Sequence, residues 1–281
     1  MPPHRPPEGT AAARTSIRPA HHCSPSLQPR RVDHVPGAIA LEGARNLRDL
    51  GGLPCEDGSV TRSDRLFRSD SLSELTEADR EVVARLGWHT VIDLRSVDET
   101  DTDRYDTAGT DTTVVTIPLL DSLTPFEDHI ADPALLSAHY DEIAREHGDR
   151  VVGILRLLAG STALPAVVHC AIGKDRTGVV IALTLRLVGV LETAVLADYA
   201  RSQPAALTHQ AEAAKRHPEQ AALILAATDL FGADPSRMHR FLGGIERDYG
   251  SVARWAMAQG LTEAELAALR ANLVAEPVGG R

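Results

Sequence analysis

The sequence predicts an α/β domain with a central, mostly parallel sheet flanked by helices and a helical C-terminal part. Two observations carry this expectation. Short runs dense in β-branched residues, "HTVIDL" at 89–94, "TTVVTIP" at 112–118 and "PAVVHC" at 165–170, alternate with segments of helical periodicity. That alternation lays strands side by side in parallel, with helices as crossovers. Beyond residue 190 no such run occurs, and apolar residues recur at helical spacing to about residue 274. A length of 281 residues with 43 % hydrophobic residues suits one sizeable domain, and with 4 % aromatics its core must rest on Ala, Leu and Val.

The elements follow in order. Residues 1–36 are rich in Pro, His, Arg and Ser without periodicity and read as a disordered tail, so the domain is expected over 37–277. His21, His22 and Cys23 fall in this tail with no ordered fourth ligand nearby and read as solvated. In "RNLRDLGGLPCEDGSVTRSDRLFRSD", residues 45–70, Asp57-Gly58 between short apolar stretches signals a hairpin. "LTEADREVVARLG" is a helix with Thr76 as N-cap and Gly87 just past its end. Asp98 to Thr113 reads as an acidic, Thr-rich loop between two strands. Asp132-Pro133 pairs an N-cap with a first-turn proline and opens a helix that stops near Gly148. Another helix runs from Asp149 to Gly160, and Thr177 to Val190, apolar nearly all round, is a central helix. Helices follow at 192–202, 204–216, 219–228, 235–249, 252–259 and 263–274, two of them opened by Asp234-Pro235 and by a Thr262/Glu265 capping box.

Charge and composition narrow the function. The formal charge of −10 is the wrong sign for a non-specific nucleic-acid binder, so any phosphate handled here is gripped locally. No apolar run is long enough to span a membrane, and the N-terminus has no apolar core of a secretory signal. The three cysteines are far apart, give no disulfide framework and no zinc-type spacing, and fit a reducing cytoplasm.

Chemistry concentrates in "HCAIGKDRTG", residues 169–178. Cys170 follows a buried strand and Thr177-Gly178 opens an apolar helix, so the loop sits at a helix N-terminus. Unpaired amides and the positive end of the helix dipole then face one point, which makes an anion site. The amides of Ala171, Ile172, Gly173, Lys174, Asp175 and Arg176 are the candidate phosphate ligands, with Gly173 letting the backbone turn them inward. A thiol beside cations at a helix start ionises more readily than a free one, so Cys170 is the candidate nucleophile. Arg176 offers a planar fork for two phosphate oxygens. A thiolate under a cradle for a tetrahedral anion implies attack on phosphorus and a phosphocysteine that water then cleaves. Thr177 can donate its hydroxyl to the sulfur and help it leave. His169, pointing to the opposite face of its strand, is badly placed as a base and reads as loop support.

The loop resembles the protein tyrosine phosphatase signature His-Cys-x5-Arg-[Ser/Thr]-Gly. Its Lys-Asp-Arg resembles, more narrowly, the bacterial tyrosine/serine and phosphoinositide phosphatase family. "NLRDLGG" at 46–52, "FRSDSLSELTEAD", "VIDLRS" and "DYGSVARWAMAQGLTEAELAALR" are similar to further blocks of that family, so the resemblance covers about 40–275. It implies a dual-specificity-phosphatase-like fold, Cys170 as nucleophile, Arg176 as phosphate ligand, no metal and no cofactor. Its partners would be a phosphorylated protein or a phospholipid headgroup as substrate. It also implies a lid from the helices between 192 and 245.

A Trp-Pro-Asp acid loop is absent from the sequence. Expulsion of an alcohol from phosphorus still needs a proton. Asp175 is one candidate, since a carboxyl beside a thiolate and a phosphate dianion tends to keep its proton, and the resemblance agrees. Asp121 is the alternative, following "VVTIPLL" where dual-specificity enzymes place their acid. Asp175 could instead brace the loop through a neighbouring cation. Lys174, in a chain that otherwise prefers Arg, suits a second phosphate at the rim. Asp93 and Arg95, ending a strand at the ligand-binding edge of the sheet, read as braces of the loop. Asn46 and Asp49 read as structural. A cysteine-dependent phosphomonoesterase is thus the leading reading. A rhodanese-like sulfurtransferase and a phosphate-binding module without turnover are the alternatives.

Overall fold

Strands β1 (Arg48–Asp49), β3 (Leu66–Ser69), β4 (Thr90–Asp93), β5 (Thr113–Thr116) and β6 (Ala166–His169) form a sheet in the order β1–β3–β6–β4–β5. Only β1 runs antiparallel to its neighbour; β3, β6, β4 and β5 are mutually parallel. The structure is a computed structural model, and it describes Met1 and residues 37–104, 112–120 and 134–275. From residue 37 on these belong to one unit, Val32–Arg281; the other unit, Met1–Arg31, is described only at Met1. The expected tail, the middle of the Asp98–Thr113 loop, Asp121 and the Asp132-Pro133 helix start lie outside the described residues.

The sheet is covered on both faces, as parallel strands require. Successive side chains of a strand point to opposite faces, and here they enter two different cores. Leu66, Ile92, Ala166 and Val168 join the larger one. Phe67, Val91 and Val167 join the smaller one with Leu86 and Trp88. Helix α1 (Glu77–Leu86) belongs to the smaller core, begins with a Thr76/Asp79 capping box and ends at Gly87 in the left-handed region. Helix α2 (Val97–Thr102) begins where a plain loop was expected. Its sequence has no apolar period, and a Ser96/Glu99 capping box supplies its start instead.

The larger core holds α3 (Ala134–Arg145) and α4 (Gly148–Ala159), which pack around α5 (Asp175–Leu187). Residues Arg176 to Leu185 of α5 are buried without interruption, the central helix that the apolar run predicts. It starts two residues earlier than expected, at Asp175 rather than Thr177, so Asp175 and Arg176 lie in its first turn. Helices α6 (Glu192–Ala200), α7 (Gln203–Arg216), α8 (Ala221–Ala226), α9 (Thr228–Phe231), α10 (Pro235–Tyr249), α11 (Val252–Ala258) and α12 (Glu263–Leu273) follow. The helix expected at 219–228 gives way to α8 and α9 with a break at Ala227. There the Gln210 amide donates to the carbonyl of Ile224 at 2.8 Å, an acceptor that a continuous helix would use for itself. The Asp57-Gly58 turn forms, with Gly58 at φ +81°. Beyond it, β2 (Val60–Thr61) pairs with β7 (Val274–Ala275), a short strand that closes the described chain. Among the described residues no helix is long and apolar enough to cross a membrane.

Candidate active site

Cys170 leaves β6 at the middle of the sheet, so the loop that follows is walled by the ends of both flanking strands. Register places Ser69 of β3 and Asp93 of β4 beside His169. This is the carboxyl edge where parallel sheets bind ligands.

The loop is shaped by donors that pull its carbonyls outward. The His169 carbonyl accepts from the Leu94 amide at 2.9 Å, and the Ala171 carbonyl from the Ser71 amide at 3.0 Å. Asn46 Nδ2 donates to the carbonyls of Gly173 and Ile172 at 3.0 and 3.3 Å. Arg68 Nη2 donates to the Gly173 carbonyl at 2.6 Å. In a trans peptide the N–H points opposite the C=O. The amides of Cys170, Ile172, Gly173 and Lys174 are therefore turned toward the hollow of the loop. Gly173 makes the turn at φ +70°, and a Cβ there would lie 2.2 Å from the Ser69 carbonyl oxygen, so no other residue fits.

Cys170 is buried and its thiol is free. Arg176 and Lys174 lie within electrostatic reach of its sulfur. Arg176, 7 % exposed, is held by a residue that sequence reasoning missed. Glu99 grips it end-on, Oε2 to Nη1 at 2.5 Å and Oε1 to Nη2 at 2.8 Å. A guanidinium has five N–H donors, so this contact leaves the Nε edge free to meet two oxygens of an anion. Burial alone would raise the Glu99 carboxyl, but the Arg176 bonds outweigh it and hold Glu99 below the ordinary carboxylate range. Glu99 also accepts from the Ser96 amide at 2.8 Å, so the α2 capping box and the Arg176 clamp share one carboxylate. The only signal in the sequence was Ser96-x-x-Glu99 itself.

His169 acts on the backbone, its Nδ1 lying 3.2 Å from the Cys170 carbonyl. Burial pushes its imidazole below the ordinary value. Its Nε2 is 3.8 Å from Asp93, whose carboxylate in turn pairs with Arg95 at 2.9 Å. Arg95 reaches on to Ser71 Oγ at 3.2 Å and Asp103 Oδ2 at 2.9 Å. Asp49 is structural, accepting from the amides of Gly51 and Asp64 at 3.0 Å each. The Thr177 hydroxyl is buried and, among the described residues, has no hydrogen-bond partner, the Cys170 sulfur included.

Lys174 lies elsewhere than a rim lysine would. Its side chain is 1 % exposed, and Nζ donates to the carbonyls of Leu230 and Gly232 at 2.5 and 3.3 Å. Burial pulls its ammonium below the ordinary lysine value against the attraction of Asp175. It ties the loop to the α9 segment rather than facing outward, donating to carbonyls at the end of that four-residue helix. Asp175 keeps 25 % of its side chain exposed. Its Oδ1 accepts from the Tyr140 hydroxyl at 2.7 Å and lies 3.5 Å from Lys174 Nζ.

Behind the loop sits a buried charge cluster. Asp198 Oδ1 pairs with Arg48 Nε at 2.7 Å, and Oδ2 with Arg68 Nη1 at 2.6 Å. Burial and the neighbouring Arg68 lower Arg48 to about 10 despite Asp198. The two guanidinia hold Asp198 below the ordinary carboxylate range against its burial. One carboxylate thus serves two cations, and one of these cations bonds the Gly173 carbonyl. Removing it strands both. Asp198→Asn is expected to lower the unfolding free energy by about 3–5 kcal/mol, read from urea denaturation; a loss below about 1 kcal/mol would contradict the assignment.

A cleft of about 380 Å³ opens over the loop. Ala171, Ile172 and Asp175 of the loop line it together with Arg45, Glu74, His209, Arg216 and Phe231. Ile172 packs against a small core of Ala214, Ile224 and Phe231, so α7, α8 and α9 lie beside the loop.

Comparison with known proteins shows the family. The family model described as "Tyrosine phosphatase family" matches residues 39–275. A protein of Cupriavidus necator named as a tyrosine-protein phosphatase is 28 % identical over 264 residues, 87 % of this chain and 94 % of that protein. The triple specificity protein phosphatase PtpB of Mycobacterium tuberculosis is 31 % identical over 193 residues, 58 % of this chain and 68 % of that protein. A tyrosine-protein phosphatase of Nostoc commune is 28 % identical over 153 residues, 50 % of this chain and 49 % of that protein. With 39–275 matched, and with a strand–loop–helix anion cradle around a buried thiol inside that match, the chain belongs to the tyrosine phosphatase family.

Proposed function

We propose that this chain hydrolyses phosphate monoesters, phosphotyrosine first among them, by way of a phosphocysteine at Cys170. One observation carries the residue assignments: the outward tethering of the loop carbonyls, which turns the intervening amides toward the hollow of the loop, with Arg176 in electrostatic reach of the Cys170 sulfur. That arrangement suits a tetrahedral dianion and the trigonal bipyramid through which it reacts.

In the first step the Cys170 thiolate attacks phosphorus. The P–S bond forms, the ester P–O bond breaks, and the departing oxygen takes the proton held by Asp175. In the second step the Asp175 carboxylate accepts a proton from water as the water oxygen attacks phosphorus. The P–S bond breaks, inorganic phosphate leaves and the thiolate returns. Positioned acids of this kind contribute about 10²–10⁴-fold. Asp175 is preferred to Asp121 because it borders the cleft at the loop itself. Arg176 carries the developing charge, Glu99 fixes its plane, and His169, Asp93 and Arg95 hold the loop. Phosphoseryl, phosphothreonyl and phosphoinositide esters are the further substrates of this reading, since the cleft wall offers both signs of charge. Cys55 and Cys170, the free cysteines among the described residues, favour a reducing compartment such as the cytoplasm.

The protein is expected to release phosphate from a phosphotyrosyl peptide in the presence of excess EDTA. Phosphoseryl peptide and phosphoinositide measured alongside rank the substrates. No turnover of phosphotyrosine, or turnover only with an added divalent ion, would contradict the reading.

A further inference from the structure

We infer that Tyr140, Tyr199 and Arg237 form a donor chain that orients the Asp175 carboxyl, keeping Oδ1 as an inward-facing acceptor and Oδ2 for the proton given to the leaving group. The inference rests on the reading of Asp175 as the general acid and adds three positioning residues to it.

The chain is drawn from four helices. Tyr140 of α3 donates to Asp175 Oδ1 at 2.7 Å, and its oxygen is 2.8 Å from the hydroxyl of Tyr199 of α6. The Arg237 guanidinium of α10 faces Tyr199 and is itself anchored on the carbonyls of Gly232 and Asp229 at 2.9 and 2.5 Å. Both phenols are buried. The Tyr140 ring is fixed edge-on against Phe241 with centroids 5.8 Å apart. The Tyr199 ring lies where a Cβ on residue 178 would press on it at 3.0 Å, so Gly178 of the loop motif makes room for it.

Proton counting gives the chain a direction. Arg237 can only donate, and each phenol has a single hydrogen. With the Tyr140 hydrogen on Asp175 Oδ1, Tyr199 donates to Tyr140 and every bond is made. If Oδ1 carried the acid proton, Tyr140 would turn its hydrogen to Tyr199. The Tyr199 hydrogen would then meet only Arg237, and no acceptor for it exists among the described residues. A buried hydroxyl hydrogen without an acceptor is disfavoured. Oδ1 therefore stays an acceptor in both protonation states of Asp175, and the transferable proton resides on Oδ2. The other groups facing this carboxyl are the Lys174 ammonium at 3.5 Å, Arg176 and Arg237. Burial, with Asp175 next, raises Tyr140 above the ordinary phenol value and Tyr199 to about 12, so both keep their hydrogens at neutral pH.

The test compares kcat/KM across aryl phosphates of rising leaving-group pKa, from p-nitrophenyl to phenyl phosphate, in Tyr140→Phe, Tyr199→Phe and Asp175→Asn. Both phenylalanine variants keep the buried rings and remove only the hydroxyl. Tyr140→Phe is expected to cost less than about threefold on p-nitrophenyl phosphate and about tenfold or more on phenyl phosphate, a fraction of what a positioned acid supplies. Tyr199→Phe should steepen the dependence in the same direction by less, and serves alone if Tyr140→Phe fails to fold. In the Asp175→Asn background, Tyr140→Phe should add no further steepening. If Asp175→Asn steepens the dependence while both tyrosine variants lower all substrates equally or not at all, the donor chain is overturned and the acid assignment stands. If Asp175→Asn itself leaves the dependence unchanged, the acid assignment fails and the chain's role with it.

Discussion

Cys170→Ser is expected to lower kcat by about 10⁴-fold or more, the scale on which enzymes lose turnover with their nucleophile, while tungstate still binds within about tenfold of the parent. The two halves of this expectation have separate causes. A serine hydroxyl at this position keeps its proton and attacks phosphorus poorly, and among the described residues no side chain is hydrogen-bonded to the Cys170 sulfur to serve as its base. His169 points its Nδ1 at the Cys170 carbonyl, 3.2 Å away, instead. The anion cradle does not depend on the sulfur, because Asn46, Arg68 and Ser71 hold the loop carbonyls whichever atom sits at its centre. Residual kcat above about 1 % of the parent would mean that the reaction does not pass through this residue.

Arg176→Lys conserves charge and is nonetheless expected to lower kcat/KM by about 10²–10³-fold, or ~2.7–4 kcal/mol of transition-state stabilisation. A lysine reaches with one ammonium where the guanidinium has two usable edges. It cannot hold Glu99 end-on and offer two parallel donors to phosphate at once. Both Glu99 bonds, at 2.5 and 2.8 Å, would be replaced by at most one. The variant should show a larger loss in kcat than in KM, since the second donor matters most where charge builds on the equatorial oxygens. A loss below about tenfold, or ~1.4 kcal/mol, would remove Arg176 from the role assigned to it.

Much of the fold was legible because it is written in local patterns. The N-cap at Thr76, the capping box at Thr262, β-branched runs at 90–93, 113–116 and 166–169, and the nearly all-apolar stretch after Thr177 each declare their element within a few residues. The loop from Cys170 to Thr177 was legible for the same reason, since nucleophile, glycine and arginine are contiguous. Features that depend on residues far apart in the chain were not. Glu99 meets Arg176 across 77 residues, and Arg68 meets the Gly173 carbonyl across 105. Nothing local in "VDET" or "LFRS" announces either contact. Lys174 shows the same limit, because whether a lysine faces solvent or turns inward depends on acceptors at Leu230 and Gly232 that only the fold brings near. The break at Ala227 and the strand Val274–Ala275 were missed because their causes, the Gln210 side chain and the partner strand Val60–Thr61, lie elsewhere in the sequence.

The account stands on a covalent bond between Cys170 and phosphorus, and rapid acid quench of the enzyme during turnover of a phosphotyrosyl substrate tests it most directly. Mass spectrometry of the quenched protein, digested under acid conditions that spare the P–S bond, should find one phosphoryl group on the peptide containing Cys170. It should be absent from Cys170→Ser and should accumulate in Asp175→Asn if the same carboxylate activates water in the second step. Turnover without any phosphorylated Cys170 peptide, or a phosphoryl group on another residue, would contradict the mechanism.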